Sequence, residues 1–364
     1  MPETHADAYL FNPRPPIILP MALLELIDVS IEYETDRGQL QAVDGVDLSV
    51  DPGETLGLVG ESGSGKTTAT KPILGLLDSN GRVTSGEIRF EGRDLTTLSE
   101  AELRREIRWQ KISYIPQNAM AALDPVFTVG DQIEEVILAH TDRTKDEARE
   151  RTAELLVDVG LDPNRARDYP HELSGGQRQR VTIALALALS PALIIADEPT
   201  TGLDVVVQDE ILELIDEIQA EMGCAMVFIT HDMSVIAEIS DRIAVMYAGR
   251  VMETGTIRDV FKRSAHPYTI GLQNSFPRME RNPAESSLIT IPGSSPELYD
   301  PPDGCRFIDR CPFATGTCQE LPPVVEVADG HRIECHFPDR SEEFRTAGSK
   351  AETWTGERGE VTEP

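Results

Sequence analysis

The chain has 364 residues, and its 63 acidic against 33 basic residues give a formal net charge of −30. This length allows about two domains and a full hydrophobic core, while the 40% hydrophobic share excludes a disordered acidic polymer. The basic residues are six lysines and 27 arginines. Because salt screens the self-repulsion of such a charge, we interpret the surface as that of a cytoplasmic protein from a salt-loving organism. An ordinary acidic protein is the alternative.

The apolar residues do not form a predicted membrane span. No stretch of about 18 uninterrupted apolar residues occurs, and the longest candidate, residues 181–196, is divided by Ser190 and Pro191 into a helix end and a strand start. Residues 1–21 lack the basic start and apolar middle of a secretory signal. We expect them to form a flexible N-terminal tail, with the start of translation open between Met1 and Met21.

In chain order, the first predicted element is an antiparallel sheet. Residues 23–50 alternate in hydropathy and are punctuated by Gly38, Asp44 and Gly45, a pattern typical of strands joined by hairpins. Residues 54–59 then form a buried strand.

Helical and strand patterns alternate in the following residues. Residues 100–108 and 145–159 have helical spacing and dense charge, whereas 192–196 and 225–230 are short apolar runs typical of buried parallel strands. Strands separated by helices predict an α/β core.

The composition changes after about residue 276, where Pro, Gly and Ser become frequent. This change predicts a separate small C-terminal unit over residues 276–340. Residues 341–364 are mostly polar, and we expect them to form a disordered tail.

A glycine-rich segment follows the strand 54–59 and opens a helix, which is the context of a phosphate-binding P-loop. Its sequence, GESGSGKT over residues 60–67, lets backbone N–H groups and a helix N-terminus surround phosphates. Lys66 is expected to reach the β and γ phosphates, and the Thr67 hydroxyl to coordinate Mg²⁺. The predicted nucleotide-binding residues of this segment are Gly60, Ser62, Gly63, Gly65, Lys66, Thr67 and Thr68.

Two adjacent carboxylates end a second buried strand. Asp197 and Glu198 follow the apolar run 192–196, and ligands of a doubly wound sheet bind at the carboxyl ends of its strands. Asp197 is predicted to hold Mg²⁺, and Glu198 to polarise the attacking water. Without the P-loop, the two acids would indicate only a solvated strand end.

A third segment, Ser174-Gly175-Gly176-Gln177, precedes a strongly helical run. Ser174 is a suitable N-cap, and the glycines leave backbone donors open for a second anion at the helix start. The alternative is a simple helix cap after a loose loop.

The order of these segments resembles that of ATP-binding cassette (ABC) ATPases, with a P-loop, then an LSGGQ signature, then the two carboxylates. The resemblance covers about residues 23–255. It implies an α/β P-loop NTPase fold of the ABC type, with a RecA-like core, an antiparallel β subdomain and a helical subdomain at about residues 117–185. The implied ABC nucleotide-binding domain covers residues 22–275.

The same resemblance implies further site residues. Gln117 corresponds to the Q-loop glutamine that contacts Mg²⁺, Asp204 to the D-loop, and His231 to the switch histidine that contacts the γ-phosphate. Tyr33 is the candidate for stacking on adenine, with Phe90 or another ring as alternatives. The implied catalytic residues are Glu198, His231 and Gln117, and the implied ligands are ATP and Mg²⁺.

ABC cassettes act as head-to-tail dimers, which the resemblance implies here as well. Residues 174–177 of one subunit would face the other subunit across ATP, where they would meet Lys66, Asp197, Glu198 and His231. The second cassette is expected to be a paralogue in preference to a second copy.

Four more segments resemble the oligopeptide/dipeptide subfamily of ABC importers. They are residues 119–130, 246–250, 266–269 and 304–312, which extend the resemblance over residues 22–338. The unit 276–340 then corresponds to the C-terminal extension of that subfamily. The sequence departs from the usual residues of the subfamily at three positions: Thr67, Gly202 and Asp124 stand where Ser, Ala and Asn are usual. None of these departures removes a catalytic group.

Four cysteines, Cys305, Cys311, Cys318 and Cys335, lie in this extension. Their spacing matches neither the paired CxxC of a zinc ribbon nor a ferredoxin run, yet four thiolates in a Pro-rich segment suit a structural metal. Because some family members hold a [4Fe–4S] cluster at such cysteines, we expect that cluster here, with Zn²⁺ or metal-free thiols as alternatives.

The resemblance implies an ATPase that energises the import of dipeptides or oligopeptides. Its partners would be two transmembrane permease subunits and, indirectly, an extracytoplasmic solute-binding protein, which places the chain at the cytoplasmic face of the membrane as a peripheral subunit. A nickel or oligosaccharide importer is the alternative. A non-transport ABC ATPase is disfavoured by the single P-loop and the lack of a long coiled coil. The sequence contains no stripe of basic residues, so it does not predict nucleic acid binding.

Overall fold

The computed structural model describes residues 22–117, 122–275 and 289–355. The strands are β1 Leu24–Thr35, β2 Gly38–Val50, β3 Thr55–Val59, β4 Gly81–Phe90, β5 Arg93–Asp94, β6 Ile112–Ile115, β7 Leu193–Asp197, β8 Ala225–Thr230, β9 Arg242–Tyr247, β10 Arg250–Thr256, β11 Val324–Ala328 and β12 His331–Glu334. The α-helices are α1 Lys66–Thr70, α2 Glu100–Glu102, α3 Val129–His140, α4 Lys145–Asp158, α5 Gly175–Ala186, α6 Val205–Met222, α7 Met233–Ile239, α8 Ile257–Arg263, α9 Pro267–Ser275, α10 Ser341–Gly348 and α11 Ala351–Thr355. The predicted tail 1–21 lies outside the described residues.

An antiparallel sheet with the strand order β2-β1-β4-β5 forms one layer of the described structure. The hairpin of β1 and β2 runs from the pair Leu24 and Val50 to the pair Thr35 and Gly38. The antiparallel sheet predicted over residues 23–50 is therefore confirmed.

The second sheet has the order β11-β12-β10-β9-β3-β8-β7-β6 in the described residues. Its strands β9, β3, β8, β7 and β6 are parallel to one another. Met226 and Phe228 of β8 contribute to one apolar cluster, and Val227 and Ile229 contribute to the cluster that also contains the antiparallel sheet. Because both faces of the strand are buried, its sequence is continuously apolar. The predicted α/β core is confirmed.

The topology fixes the place of the phosphate-binding segment. β8 pairs with β3 on one side and with β7 on the other, and all three strands run in the same direction. Gly60 follows β3, Asp197 ends β7, and Thr230 ends β8. The residues after these strands therefore meet at one edge of the sheet.

A group of helices follows β6. Thr128 caps α3 in a capping box with Asp131, and Thr144 caps α4 in the same way with Glu147, so each helix start is set locally. α3, α4 and most of α5 fall within residues 117–185, where the sequence predicts a helical subdomain.

The C-terminal extension is joined to the described residues that precede it, whereas its composition predicts a separate unit. β12 pairs with β10, which joins the extension to the main sheet. Cys305 and Phe307 are buried in the same apolar cluster as the helices of the cassette. The extension therefore buries part of its apolar surface in the core of the preceding residues, and its own small cluster around Phe344 also includes Ala265 and Ile270.

The expectation of a disordered tail over residues 341–364 is wrong for the part that the structure describes. Within residues 341–355, Ser341–Gly348 forms α10 and Ala351–Thr355 forms α11. The side chains of Phe344 and Trp354 are buried, and the Trp354 ring packs over Gly271 of α9. Two large apolar side chains thus hold a mostly polar segment in place.

None of the helices in the described ranges is long and apolar enough to span a membrane.

Candidate functional site

The P-loop closes tightly against the neighbouring strands. α1 begins at Lys66 after Gly65, whose φ is +101°. A Cβ atom on Gly65 would lie 2.6 Å from the Ala42 carbonyl oxygen, and one on Gly60 would lie 2.1 Å from the Met246 carbonyl oxygen. Glycine is therefore required at both positions by close backbone approach. Ser62 and Gly63 are exposed at the tip of the loop, whereas Thr67 and Thr68 are half-buried in α1.

Lys66 lies inside this loop. Its Nζ atom donates to the carbonyl oxygens of Gly60 at 2.8 Å and Glu61 at 3.0 Å. Burial lowers the pKa of Lys66, although the nearby carboxylates of Glu198 and Asp197 oppose this shift. The hydroxyl of Ser64 is also buried and has no hydrogen-bond partner within the described residues. The loop thus encloses a cation and a hydroxyl without a hydrogen-bond partner in the described residues, and both groups can bind phosphate oxygens.

Asp197 is buried at the end of β7 and holds two hydroxyl donors. Thr67 Oγ1 donates to Asp197 Oδ1 at 2.9 Å, and Tyr114 Oη donates to Asp197 Oδ2 at 2.8 Å. Burial raises the pKa of Asp197, while the two hydrogen bonds lower it. Hydroxyl and carboxylate oxygens are ligands that Mg²⁺ accepts, so the donor set fits a magnesium ion next to phosphates.

Glu198 is the acceptor at the centre of a second group of side chains. Its Oε2 atom accepts from Gln117 Nε2 at 2.8 Å and from Thr201 Oγ1 at 2.9 Å. His231 Nδ1 lies 3.3 Å from Oε1. Although burial alone would raise the pKa of Glu198, the hydrogen bonds from Thr201 and His231 hold it below the usual value. Glu198 is therefore ionised at neutral pH.

The backbone of Glu198 is strained. Its φ is +46°, in the left-handed region that non-glycine residues rarely adopt. The Glu198 amide donates to the Ile229 carbonyl oxygen of β8 at 2.9 Å, which fixes this conformation. The structure thus brings together Gln117, Glu198 and His231, the three predicted catalytic residues.

The predicted signature segment starts α5. Ser174 Oγ accepts from the Gln177 amide at 3.3 Å, and Gln177 Oε1 accepts from the Ser174 amide at 3.0 Å, forming a capping box. A Cβ atom on Gly175 would lie 3.7 Å from Leu203 Cδ2, and one on Gly176 would lie 2.6 Å from Val207 Cγ1. The signature therefore packs against the segment around Asp204.

Asp204 starts α6 as its N-cap, where Oδ1 accepts from the Val207 amide at 3.1 Å. Among the described residues, no hydrogen bond joins Asp204 or residues 174–177 to Lys66, Asp197 or Glu198. The predicted residues therefore form two separate groups within one chain.

Tyr33 lies on β1 and is half-buried. Its ring packs over Gly81 of β4, where a Cβ atom would lie 2.6 Å from Tyr33 Cε1. The described contacts do not link Tyr33 to the P-loop, so its role toward adenine stays a prediction.

Two residues of the site were missed by the sequence analysis. Tyr114 lies on β6 beside Ile195 of β7, and a strand order of β6 next to β7 would have placed it near Asp197. Thr201 follows Glu198 by three residues, and this local spacing was a usable signal for a hydroxyl donor.

The four cysteines of the extension line one small pocket together with aromatic side chains. All of them are free thiols, and burial raises the pKa of Cys305 to about 12. Within the described residues, however, no group of three or more His, Cys, Asp or Glu side chains is arranged to hold a metal ion. The predicted convergence of the thiols is observed, whereas a metal centre is not.

The chain is similar in sequence and in fold to known ATP-binding cassettes. A family described as ABC transporter matches residues 43–201. The dimeric ATP-binding cassette MJ0796 bound to ADP and Pi superimposes with a TM-score of 0.59 and 32% sequence identity, covering 65% of this chain and 99% of that chain. The cassette cbiO1 of Clostridium perfringens gives a TM-score of 0.57 at 28% identity, covering 66% and 91% of the two chains. The chain is an ABC-type ATPase, and the predicted P-loop fold is confirmed.

The particular family is defined by a C-terminal region and by relatives that match most of the chain. The family described as oligopeptide/dipeptide transporter, C-terminal region, matches residues 252–318. The oligopeptide transport ATP-binding protein OppD of Escherichia coli is 45% identical over 319 residues, 87% of this chain and 94% of that protein. The dipeptide transport ATP-binding protein DppD of Bacillus subtilis is 43% identical over 333 residues, 90% and 98% of the two chains. This chain belongs to the oligopeptide/dipeptide family of ABC transporter ATP-binding proteins.

Proposed function

We propose that this chain is the ATP-hydrolysing subunit of an importer for dipeptides or oligopeptides. The observation that carries the proposal is the oligopeptide-type C-terminal region at residues 252–318, which follows a complete set of ABC motifs. Relatives that match most of this chain are named for oligopeptide or dipeptide transport.

The chemistry of hydrolysis follows from the side chains around Asp197 and from those around Glu198. Lys66 and the loop amides would bind the phosphates, and Thr67 and Asp197 would hold Mg²⁺, which neutralises charge on the transferred phosphoryl group. Glu198 is ionised and can accept the proton of an attacking water. Gln117 and His231 each contact one carboxylate oxygen of Glu198 and thereby fix its orientation. Gln117 would also contact the Mg²⁺, as the resemblance implies.

A second cassette is the first proposed partner. Among the described residues, the signature residues 174–177 form no hydrogen bond with the P-loop of their own chain, and a head-to-tail dimer would complete the site by supplying them from the partner. Val205 and Val206, at the start of α6 beside this segment, are 75% and 68% exposed. Exposed apolar side chains next to a helix N-terminus are suited to such an interface. The subfamily favours a paralogous partner cassette.

Two permease subunits are the second proposed partner. Val126 and Phe127 lie shortly after Gln117 in the chain and are 73% and 52% exposed. Exposed apolar side chains are suited to docking of a permease, and Gln117 in the same stretch of chain contacts Glu198, the catalytic group. The chain would then lie at the cytoplasmic face of the membrane as a peripheral subunit, and an extracytoplasmic solute-binding protein would deliver the substrate.

The proposal is tested with the complex of this chain, its partner cassette and its permeases in vesicles, with the solute-binding protein outside. ATP hydrolysis should rise when the binding protein is loaded with dipeptides or oligopeptides. If a binding protein loaded with nickel or with oligosaccharides stimulates ATP hydrolysis instead, the transported substrate would be nickel or oligosaccharides. Stimulation by DNA or ribosomes, with no response to any loaded binding protein, would contradict a transport role.

We also propose that the four cysteines of the extension hold a [4Fe–4S] cluster. The support is that Cys305, Cys311, Cys318 and Cys335 line the same pocket and are free thiols. Four thiolates can ligate such a cluster. The full chain, purified anaerobically, should contain iron and sulfide, and Cys318→Ser should lower both. Cys224→Ser is the matched control because Cys224 is buried elsewhere in the core. Zinc without sulfide would indicate a zinc site in place of the cluster, and a metal-free protein would contradict the proposal.

The charge of the chain supports a further proposal, that the protein works at high salt. With a net charge of −30 and six lysines, self-repulsion should be screened strongly in molar KCl, where the Debye length is about 3 Å. The free energy of unfolding should therefore fall when KCl is removed. A free energy that does not depend on salt would contradict the halophilic interpretation.

A further inference from the structure

The second residue of the P-loop, Glu61, is held by the C-terminal part of the chain. Its amide donates to Tyr268 Oη at 3.1 Å. Its Oε2 atom accepts from Ser295 Oγ at 2.9 Å and from Arg310 Nη1 at 2.8 Å. All three partners lie within residues 252–318, which match the oligopeptide/dipeptide C-terminal region.

The other backbone group of Glu61 faces the nucleotide-binding residues. The Glu61 carbonyl oxygen accepts from Lys66 Nζ at 3.0 Å and from the Ser64 amide at 3.1 Å. Glu61 therefore connects the extension on one side with the phosphate-binding lysine on the other. A displacement of its side chain would move the carbonyl oxygen that positions Lys66.

Arg310 is built into the extension so that its guanidinium cannot easily move. Its side chain is 6% exposed, and it also donates to the carbonyl oxygen of Pro292 at 2.9 Å and to Tyr247 Oη at 3.3 Å. Among the described residues, Glu61 is its carboxylate partner within salt-bridge distance. A buried arginine with these contacts is a fixed positive charge beside the loop.

The charge of Glu61 has the wrong sign for a phosphate-binding loop. A carboxylate in the loop repels the phosphates of a nucleotide, and it attracts Lys66, although burial still holds the pKa of Lys66 below its usual value. The Arg310 guanidinium neutralises this carboxylate in a half-buried setting, where screening by solvent is reduced.

We propose that Arg310 is a positioning residue for ATP binding, which neutralises Glu61 and fixes the P-loop from the C-terminal extension. This role goes beyond the assignment of the transported substrate and rests only on ATP binding by the cassette. It gives the extension a function in the nucleotide site itself.

The test is the affinity of the full chain for Mg–ATP and Mg–ADP, measured at one salt concentration together with kcat and KM. Arg310→Met should raise the Kd for ATP about tenfold, a size typical of coupling between linked sites. At saturating ATP, kcat should stay within about twofold of the unsubstituted chain, because Arg310 does not touch Asp197 or Glu198.

Glu61→Gln gives the opposite sign. Glutamine keeps an oxygen that can accept from Arg310 but removes the negative charge, so the Kd for ATP should fall about threefold. The double variant should return toward the affinity of the unsubstituted chain, and the double-mutant cycle measures the interaction directly. A merely structural role would weaken binding in both single variants.

Arg306→Met is the matched control. The Arg306 side chain is also 6% exposed and lies in the same extension, but its carboxylate partner is Asp44. It should lower stability without changing the Kd for ATP. Unchanged affinity in Arg310→Met, or weaker binding in Glu61→Gln, would overturn the proposal. If Arg310→Met does not fold, the sign of the effect of Glu61→Gln decides the question alone.

Discussion

The role of Glu198 can be tested with an almost isosteric substitution, Glu198→Gln. The carboxylate accepts from Gln117 and Thr201 and lies beside His231. In the variant, one acceptor oxygen is replaced by an NH₂ group, so at most one or two of these contacts are lost, at a cost of about 1 kcal/mol each. The fold and the phosphate-binding residues should be preserved.

The expected loss is in turnover. A positioned general base increases the rate of the chemical step about 10²- to 10⁴-fold, which corresponds to about 3 to 5 kcal/mol in the activation free energy. Because Lys66, Thr67 and Asp197 are unchanged, the Kd for ATP should change by less than about threefold. ATP should then accumulate in a closed cassette dimer, which gel filtration with ATP and with ADP would detect.

Two measurements decide the outcome: steady-state ATP hydrolysis and equilibrium ATP binding by the same preparation. Glu198→Asp is the matched control, because it keeps the charge but withdraws the carboxylate by one methylene, and it should retain partial turnover. A Glu198→Gln variant that hydrolyses ATP within about threefold of the unsubstituted rate would refute the assignment of a general base.

Three further predictions follow from buried contacts. Tyr114→Phe removes a hydrogen bond to buried Asp197 and should weaken Mg–ATP binding about tenfold, since such charge-assisted bonds contribute about 1.5 to 3 kcal/mol; an unchanged Mg²⁺ titration would argue against it. Despite burial, arginine hydrogen bonds lower the pKa of Asp44 below 3.8, so Asp44→Asn should cost about 2 kcal/mol at neutral pH. That deficit should persist above pH 3.8 and vanish as the pH falls through the lowered pKa, as denaturant titrations at several pH values would show. Trp354→Ala should lower the free energy of unfolding by about 3 to 5 kcal/mol, whereas a loss below about 1 kcal/mol would mean that α11 does not pack as described.

Local patterns predicted the elements that carry the main motifs. The predicted strand 225–230 has the bounds of β8, and the predicted run 192–196 is shifted by one residue at both ends relative to β7. Both strands are buried on two faces, so their apolar runs are continuous and easily recognised. The P-loop glycines and the Ser174 cap were predictable for a similar reason, because their conformations depend on nearby backbone atoms.

Contacts between distant segments were not predictable in this way. The polar composition of residues 341–355 indicated disorder, since hydropathy averaged over the segment hides two anchoring side chains, Phe344 and Trp354. The Pro-rich composition after residue 276 indicated a separate unit, since the pairing of β12 with β10 leaves no signal in either strand alone.

The sequence by itself predicted three motifs of this protein: a P-loop that contains Lys66 and Thr67, a pair of carboxylates, Asp197 and Glu198, at the end of a strand, and a capped helix at Ser174. Each of these depends on a short stretch of chain whose residue types are dictated by backbone geometry and by phosphate chemistry. Only the tertiary structure decided that Arg310 pairs with Glu61, 249 residues away in the chain. Such a pair depends on how the extension packs against the sheet, and many other arginines could have supplied the same charge.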